Sequence, residues 1–341
     1  RYGYSTRVAS GVIAASGTLA QIIPPSIVLI VMADQLGRSV GDMYQGALVP
    51  GLVLTALYAF YVLLLSFIYP GAMPALPPQA RTLRGAKLLR HALIVMVPPL
   101  VLIFLVLGTI FLGVTTPTEG GALGATGALI LALMKRRLSW TLMKQAMDAT
   151  AKLSSFVMFI LIGSTVFGLT FRGVNGDLWV EHLLTGLPGG AVGFLVVVNI
   201  MVFLLAFFLD FFEIAFIIVP LLAPVAYKLG IDLIWFGVML GVNMQTSFMH
   251  PPFGFALFYL RSVAPREVKT SDIYWGAIPF VVIQVIMVGL VIAFPRMVTG
   301  APDSQSAPAK IEIQLPAGQP SGQSEDDKAA QEIEKALRGG K

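Results

Sequence analysis

Two stretches of the sequence place small polar side chains just before a proline pair inside an apolar run. The first is Ser16-Gly17-Thr18-Leu19-Ala20-Gln21-Ile22-Ile23-Pro24-Pro25-Ser26, and the second is Asn243-Met244-Gln245-Thr246-Ser247-Phe248-Met249-His250-Pro251-Pro252-Phe253-Gly254. Each proline removes an amide donor and fixes φ, and Gly17 loosens the backbone further. In hydrocarbon, such an interruption survives only where protein or a polar cavity satisfies the freed groups. The chemistry on offer is that of neutral oxygens, meaning loosened carbonyls, hydroxyls and amides. Such ligands suit a hard cation such as sodium, by analogy with calcium and magnesium sites. The competing reading is a proline kink in a packed helix, with the small polar residues as helix-packing contacts. His250, directly before Pro251, is open to three roles: proton carrier, donor to a substrate, or satisfied packing histidine.

Two further polar groups fall at or near membrane depth, where ionisable residues default to functional hypotheses. Glu119 sits in Thr115-Thr116-Pro117-Thr118-Glu119-Gly120-Gly121, a helix start. There Thr116 or Thr118 caps, Pro117 takes an early position, and Glu119 complements the helix dipole. The same exposed N-terminus is also suited to an anion. Asp210 and Glu213 lie between two apolar runs. They belong either to a solvated turn between full spans or to the buried tip of a re-entrant hairpin.

The elements that position these groups repeat. Asp42-Met43-Tyr44-Gln45-Gly46-Ala47-Leu48-Val49-Pro50 follows the first break, and Asp272-Ile273-Tyr274-Trp275-Gly276-Ala277-Ile278-Pro279 follows the second. Each half therefore reads as an interrupted helix, a short polar loop, Asp-x-Tyr-x-Gly-Ala and a long apolar helix. Paired interrupted segments in corresponding halves point to a secondary transporter with its site at the repeat interface. Apolar runs fall near 8–33, 44–69, 92–113, 119–134, 153–171, 191–209, 211–227, 233–260 and 275–298. The loops 70–91 and 135–152 are strongly basic and read as cytoplasmic. The equivalent loops 34–42 and 261–272 lean to opposite charge, as an inverted repeat requires.

The expected organisation follows from these features. Residues 1–69 form the C-terminal part of a first inverted repeat, and 70–91 a cytoplasmic basic loop. Residues 92–299 form the second repeat, with an interfacial amphipathic helix at 138–152. Residues 300–341 are a hydrophilic tail too poor in apolar surface to fold. The second proline pair has far more of its own half before it than the first. If the halves are equivalent, on the order of 130 residues are expected to precede Arg1.

Composition excludes several classes. The 341 residues are 56% hydrophobic and 12% charged, against about a quarter charged in a soluble domain. The chain is therefore expected to be an all-α polytopic membrane protein, and its formal charge of +5 is a topology signal rather than a nucleic-acid footprint. With no cysteine and three separated histidines, disulfides, thiolate chemistry and a Cys/His metal centre are excluded. No nucleotide-binding loop, metalloprotease motif or Ser-His-Asp set is present, so ATP-driven transport and enzyme readings lack support.

With these motifs in view, a resemblance is clear. Ala14-Ala15-Ser16-Gly17-Thr18-Leu19 with Ile23-Pro24-Pro25-Ser26, Thr116 to Gly121, Leu209-Asp210 with the run through Pro220 and Pro224, and Thr246 to Gly254 occur in the same order in the large membrane subunit of tripartite ATP-independent periplasmic (TRAP) transporters. The chain resembles that subunit over roughly residues 5–298. The resemblance implies a bacterial inner-membrane, multi-pass subunit of two inverted repeats, each with a re-entrant hairpin and a broken helix, moving as an elevator. It implies sodium-coupled uptake of a small organic anion, a carboxylate or 2-oxo acid. It also implies a periplasmic substrate-binding protein and a small membrane subunit as partners, and no cofactor beyond sodium as coupling ion. By position, Ser16, Gly17 and Thr18 would line one sodium site, and Asp210, Asn243, Gln245 and Thr246 the other. The substrate is expected against Thr18, Pro24, Pro25, Ser247, His250 and Pro251, with Thr118 and Glu119 at the hydroxyl-rich helix start. Two positions depart from the pattern: Ala20 where glycine is expected, and His250 where threonine is expected. A stand-alone sodium–dicarboxylate carrier and a non-transporting membrane scaffold are the alternatives.

Overall fold

Long apolar runs bounded by capping residues dictate helices, and helices are what form. The computed structural model describes residues 3–300 apart from 76, 78, 80–83, 252 and 253, and no strand occurs among the described residues. The tail expected to be unstructured, 300–341, lies outside them from residue 301 onward. The elements are α1 (Thr6–Thr18), α2 (Ile27–Gln35), α3 (Val40–Ile68), α4 (Gly85–Phe111), α5 (Pro117–Met134) and α6 (Trp140–Gly173). They are followed by α7 (Gly176–Thr185), α8 (Gly190–Leu205), α9 (Phe211–Lys228), α10 (Leu233–Met244), α11 (Phe255–Val263) and α12 (Thr270–Ala293). Helices α3, α4, α6, α9 and α12 are long and apolar enough to cross a membrane, and α7 and α8 form one apolar pair bent by 119°.

Helix starts are set by side chains that accept from amides left without intrahelical partners. Ser26 accepts from Leu29 N at 3.2 Å, Ser139 from Leu142 N at 3.2 Å, and Asp232 from Trp235 N at 2.7 Å. At α5 the cap is Thr116, which accepts from Glu119 N, while Glu119 Oε2 accepts in return from Thr116 N at 2.7 Å. The stretch expected as an interfacial amphipathic helix, 138–152, is helical from Trp140 and forms the first part of the 34-residue α6, which continues through Lys152 without a break. Nothing at Lys152 interrupts the helix: the side chains turn from charged to apolar there, and no proline or glycine stops the backbone.

The core is centred on α10, in which every residue from Phe236 to Met244 is buried. Around it stand α2, α3, α8 and α12, while α1 lies along α12 and against α11. The α1–α12 crossing is close enough to require glycine on both sides. A Cβ on Gly11 would stand 2.1 Å from the carbonyl oxygen of Gly276, and a Cβ on Gly276 would stand 2.1 Å from that of Arg7. The α10–α3 crossing is a looser counterpart, with Gly46 against Ile234 and Gly237 against Met43. Gly46 and Gly276 are the glycines of the two Asp-x-Tyr-x-Gly-Ala motifs.

Helices α4 and α5 form an antiparallel pair. Gly120, Gly124 and Gly127 of α5 face Ile110, Val106 and Leu102 of α4 in turn, a small-residue stripe that lets two helices approach.

Candidate functional site

Both proline pairs interrupt helices in the same way. α1 ends at Thr18 and passes into a single 3₁₀ turn, Leu19–Gln21, before α2; α10 ends at Met244 and passes into a 3₁₀ turn, Gln245–Phe248, before α11. A 3₁₀ turn tightens a helix end whose next residues cannot continue the α ladder.

The two breaks meet. Gln245 Nε2 donates to Thr18 Oγ1 at 3.2 Å, across 227 positions of sequence. Thr18 in turn lies 2.9 Å from Ala15 O and 3.6 Å from the Met249 sulfur, and Gln284 Nε2 of α12 reaches the same sulfur at 3.7 Å. Counting back from the proline pairs, Thr18 and Gln245 occupy equivalent positions of the two breaks. Their contact therefore joins like to like.

The second break is buried and cross-linked. Asn243 Nδ2 donates to both Asn199 O (2.8 Å) and Asn199 Oδ1 (2.9 Å) on α8. The Thr246 and Ser247 hydroxyls turn back to Asn243 O and Met244 O, each at 2.7 Å. Three buried amide oxygens, Gln21 Oε1, Gln245 Oε1 and Gln284 Oε1, close no hydrogen bond among the described residues, and neither does the buried Tyr58 hydroxyl beside Gln284. A buried acceptor left without a donor is costly, and a set of such oxygens is what a hard cation or a water would satisfy. No group of three or more His, Asp or Glu that could hold a metal occurs among the described residues.

His250 is 1% exposed. Its ring stacks on Phe207 at 4.1 Å and meets Phe203 edge-on at 4.6 Å. Neither ring nitrogen closes a well-formed hydrogen bond, although the Ala206 backbone is close by. Beyond Phe207 opens a cavity of about 410 Å³, lined among others by Phe156, Ala206, Asp210, Glu213 and Ser247. Asp210 caps α9 by accepting from Glu213 N at 3.1 Å. Directly after it, Ile214–Ile218 widens into a π-turn, an irregularity frequent at functional sites.

The expected site residues thus fall into three groups. Thr18, Asn243, Gln245, Thr246, Ser247 and His250 are buried together around the paired breaks, and Asp210 joins them through the cavity it shares with Ser247. Ser16, Gly17 and Pro25 are exposed, whereas Pro24 is buried and Pro251 intermediate. The Ser16 hydroxyl is already used by Val12 O at 2.7 Å. Thr118 and Glu119 are exposed at the start of α5, with Glu119 engaged in the capping box.

Asn199 and Gln284 were not among the expected residues. Each is a lone amide in an apolar run, and that isolation is the signal that singles them out. Tyr44 was also missed. Its hydroxyl lies 3.3 Å from both Ser26 N and Ser26 O, so the tyrosine of the first Asp-x-Tyr-x-Gly-Ala motif ties down the backbone just after the first proline pair.

Residues 1–297 match the family model described as "Tripartite ATP-independent periplasmic transporter, DctM component". The chain belongs to this family. It is 29% identical over 337 residues to the C4-dicarboxylate TRAP transporter large permease protein DctM of Vibrio cholerae, covering 91% of this chain and 71% of that one. It is 26% identical to the 2,3-diketo-L-gulonate TRAP transporter large permease protein YiaN of Escherichia coli, covering 86% and 68%. It is 27% identical to the sialic acid TRAP transporter permease protein SiaT of Haemophilus influenzae, covering 88% of this chain and 48% of that one. These relatives are permeases and not enzymes. Membership of this TRAP family, together with the apolar helices, makes the chain a multi-pass protein of the bacterial inner membrane.

Proposed function

We propose that the chain is the large permease subunit of a sodium-coupled, binding-protein-dependent TRAP transporter that imports a small organic acid. The observation that carries this reading is the meeting of the two breaks at Thr18 and Gln245, with unpartnered amide oxygens around them. A donor-rich set would favour an anion. Here the unpartnered amide oxygens at the breaks favour a cation, while the Tyr58 hydroxyl and the His250 ring remain able to donate to a water or an anion.

In this reading Thr18, Gln245, Asn243 and Thr246 hold sodium at the breaks, and Asp210 contributes from the cavity side. The organic anion occupies the cavity beside Ser247, where bound sodium offsets the negative charge of Asp210 and Glu213. Relatives named for a C4-dicarboxylate, 2,3-diketo-L-gulonate and sialic acid support the substrate class. The partners are a periplasmic substrate-binding protein and a small membrane subunit. Two inverted repeats sliding as an elevator supply alternating access. That arrangement is supported by the packing of α1 on α12 and α11, and of α10 on α3 and α2, a set that maps onto itself when the repeats are exchanged.

The test is thermal stability of the purified protein in detergent, titrated with sodium against potassium at fixed ionic strength. A sodium-specific rise is expected, approaching about 2.7 kcal/mol when sodium is a hundredfold above its Kd. Gln245→Leu should abolish that rise while the potassium curve persists. Identical curves for the two cations in a folded protein would remove the ion site from the breaks.

A further inference from the structure

The hairpin of α5 and α6 is the least enclosed part of the described chain. Only Gly120 of α5 and only Ser164 of α6 are buried. Although residues 135–139 join them directly, the two helices barely touch. Between them lies a groove of about 620 Å³, walled by Ala128, Leu129 and Ala132 on one side and Leu142, Ala146 and Met147 on the other. Alanines on facing helices ordinarily permit close packing. Here the walls stand apart and the slot between them is apolar.

Positive charge gathers at one end of this slot, with one further lysine, Lys152, next to Ala151 at the other. Lys135, Arg136 and Arg137 form the loop that closes the first end, and Lys144 follows one turn into α6. All four are exposed, and none is in an ion pair with a described residue. Asp148, the one acid between 135 and 152, does not line the groove. Trp140, at the first turn of α6, is 80% exposed, as expected of an indole at the membrane–water boundary. The basic loop belongs to the cytoplasmic side by the positive-inside rule. An apolar slot ending in unpaired cations at the interface matches a lipid with an acyl chain and an anionic headgroup. A partner helix would fill the slot but leave the cations unanswered.

We propose that the α5–α6 groove binds an anionic phospholipid of the cytoplasmic leaflet. One acyl chain lies along the alanine walls, and the headgroup phosphate rests on Lys135, Arg136 and Arg137. The lipid fills the space that the two helices leave open and braces them.

The experiment is native mass spectrometry of the full chain in detergent, with dioleoyl phosphatidylglycerol, cardiolipin or dioleoyl phosphatidylcholine added. Phosphatidylglycerol and cardiolipin should be retained and phosphatidylcholine should not. The triple variant Lys135→Gln, Arg136→Gln, Arg137→Gln should bind phosphatidylglycerol about a hundredfold more weakly, three interfacial charges having been removed. Ala128→Leu with Ala132→Leu should displace the lipid with every charge in place. Because all the replaced basic residues and Ala128 are exposed, melting without added lipid checks that the variants remain folded. Equal retention of phosphatidylcholine, or undiminished phosphatidylglycerol on the triple variant, would overturn the proposal. So would a leucine pair that leaves phosphatidylglycerol bound while a co-purifying membrane polypeptide is lost, an outcome that gives the groove to a protein helix.

Discussion

The two breaks share a local grammar and differ in their surroundings. Both run from an α-helix through one 3₁₀ turn to a proline pair. Yet no residue of the turn Leu19–Gln21 is buried, whereas Gln245, Thr246 and Ser247 all are. The polar side chains respond accordingly. Ser16, exposed, bonds back to its own helix at Val12 O and Ile13 O, the self-satisfaction open to a short hydroxyl. Asn243, buried, reaches across to another helix and fixes Asn199. Proline and glycine decide where a helix breaks, and the neighbouring helices decide whether the break becomes a site. Thr18 departs from its exposed neighbours Ser16 and Gly17. It is 2% exposed because the second break covers it.

Glycine substitutions should expose this difference most sharply. Gly276→Ala places a methyl group 2.1 Å from the Arg7 carbonyl at the α1–α12 crossing, a backbone contact that cannot yield by rotamer change. A loss of about 3 kcal/mol, or of folded protein altogether, is expected. Gly17→Ala, in the first break, meets nothing within 4 Å and should be neutral or stabilising by about 0.5–1 kcal/mol. Thermal melts in one detergent compare the pair directly. If Gly276→Ala melts with the wild type, α1 does not lie on α12 as described.

The next contrast is between the polar groups. Asn243→Leu leaves the Asn199 side-chain oxygen without its donor in a buried setting, which should cost about 1–3 kcal/mol. Ser16→Ala removes an exposed hydroxyl that serves its own helix and should change stability by less than about 0.5 kcal/mol. Comparable losses from the two would mean that the breaks are equally enclosed and that the burial difference carries no energetic weight.

Much of this was legible in the residues, and the reasons are local. The breaks, the duplicated Asp-x-Tyr-x-Gly-Ala segments and the cap at Thr116 and Glu119 are written in glycine, proline and capping residues, whose effects act within a few positions. What escaped depends on distance in sequence. The meeting of Thr18 with Gln245 and the aromatic sleeve of Phe203 and Phe207 around His250 arise from elements that only packing brings together. The continuity of α6 was hidden for a different reason. The switch at Lys152 from amphipathic to apolar surface reports a change of environment, and a helix crosses such a boundary without a backbone signal. Asp210 and Glu213 were read either as a solvated turn or as a buried tip. They are a capping pair facing the cavity beside Ser247, a placement set by α10 and its break.

A small expected effect bears on a point where the two regions touch. A double-mutant cycle of Thr18→Val and Gln245→Leu, measured in potassium, isolates the 3.2 Å hydrogen bond between them. Interhelical hydrogen bonds in membrane proteins average about 0.6 kcal/mol in such cycles, with a maximum near 1.7, and a coupling in that range is expected here. Repeating the cycle in sodium sharpens the comparison. If the cation binds at the junction, each single substitution loses the sodium-dependent part of the stability, and the apparent coupling rises above its potassium value. If the same small coupling appears in both salts, the junction is a packing contact, and the likeness of the two breaks is architectural rather than an ion site.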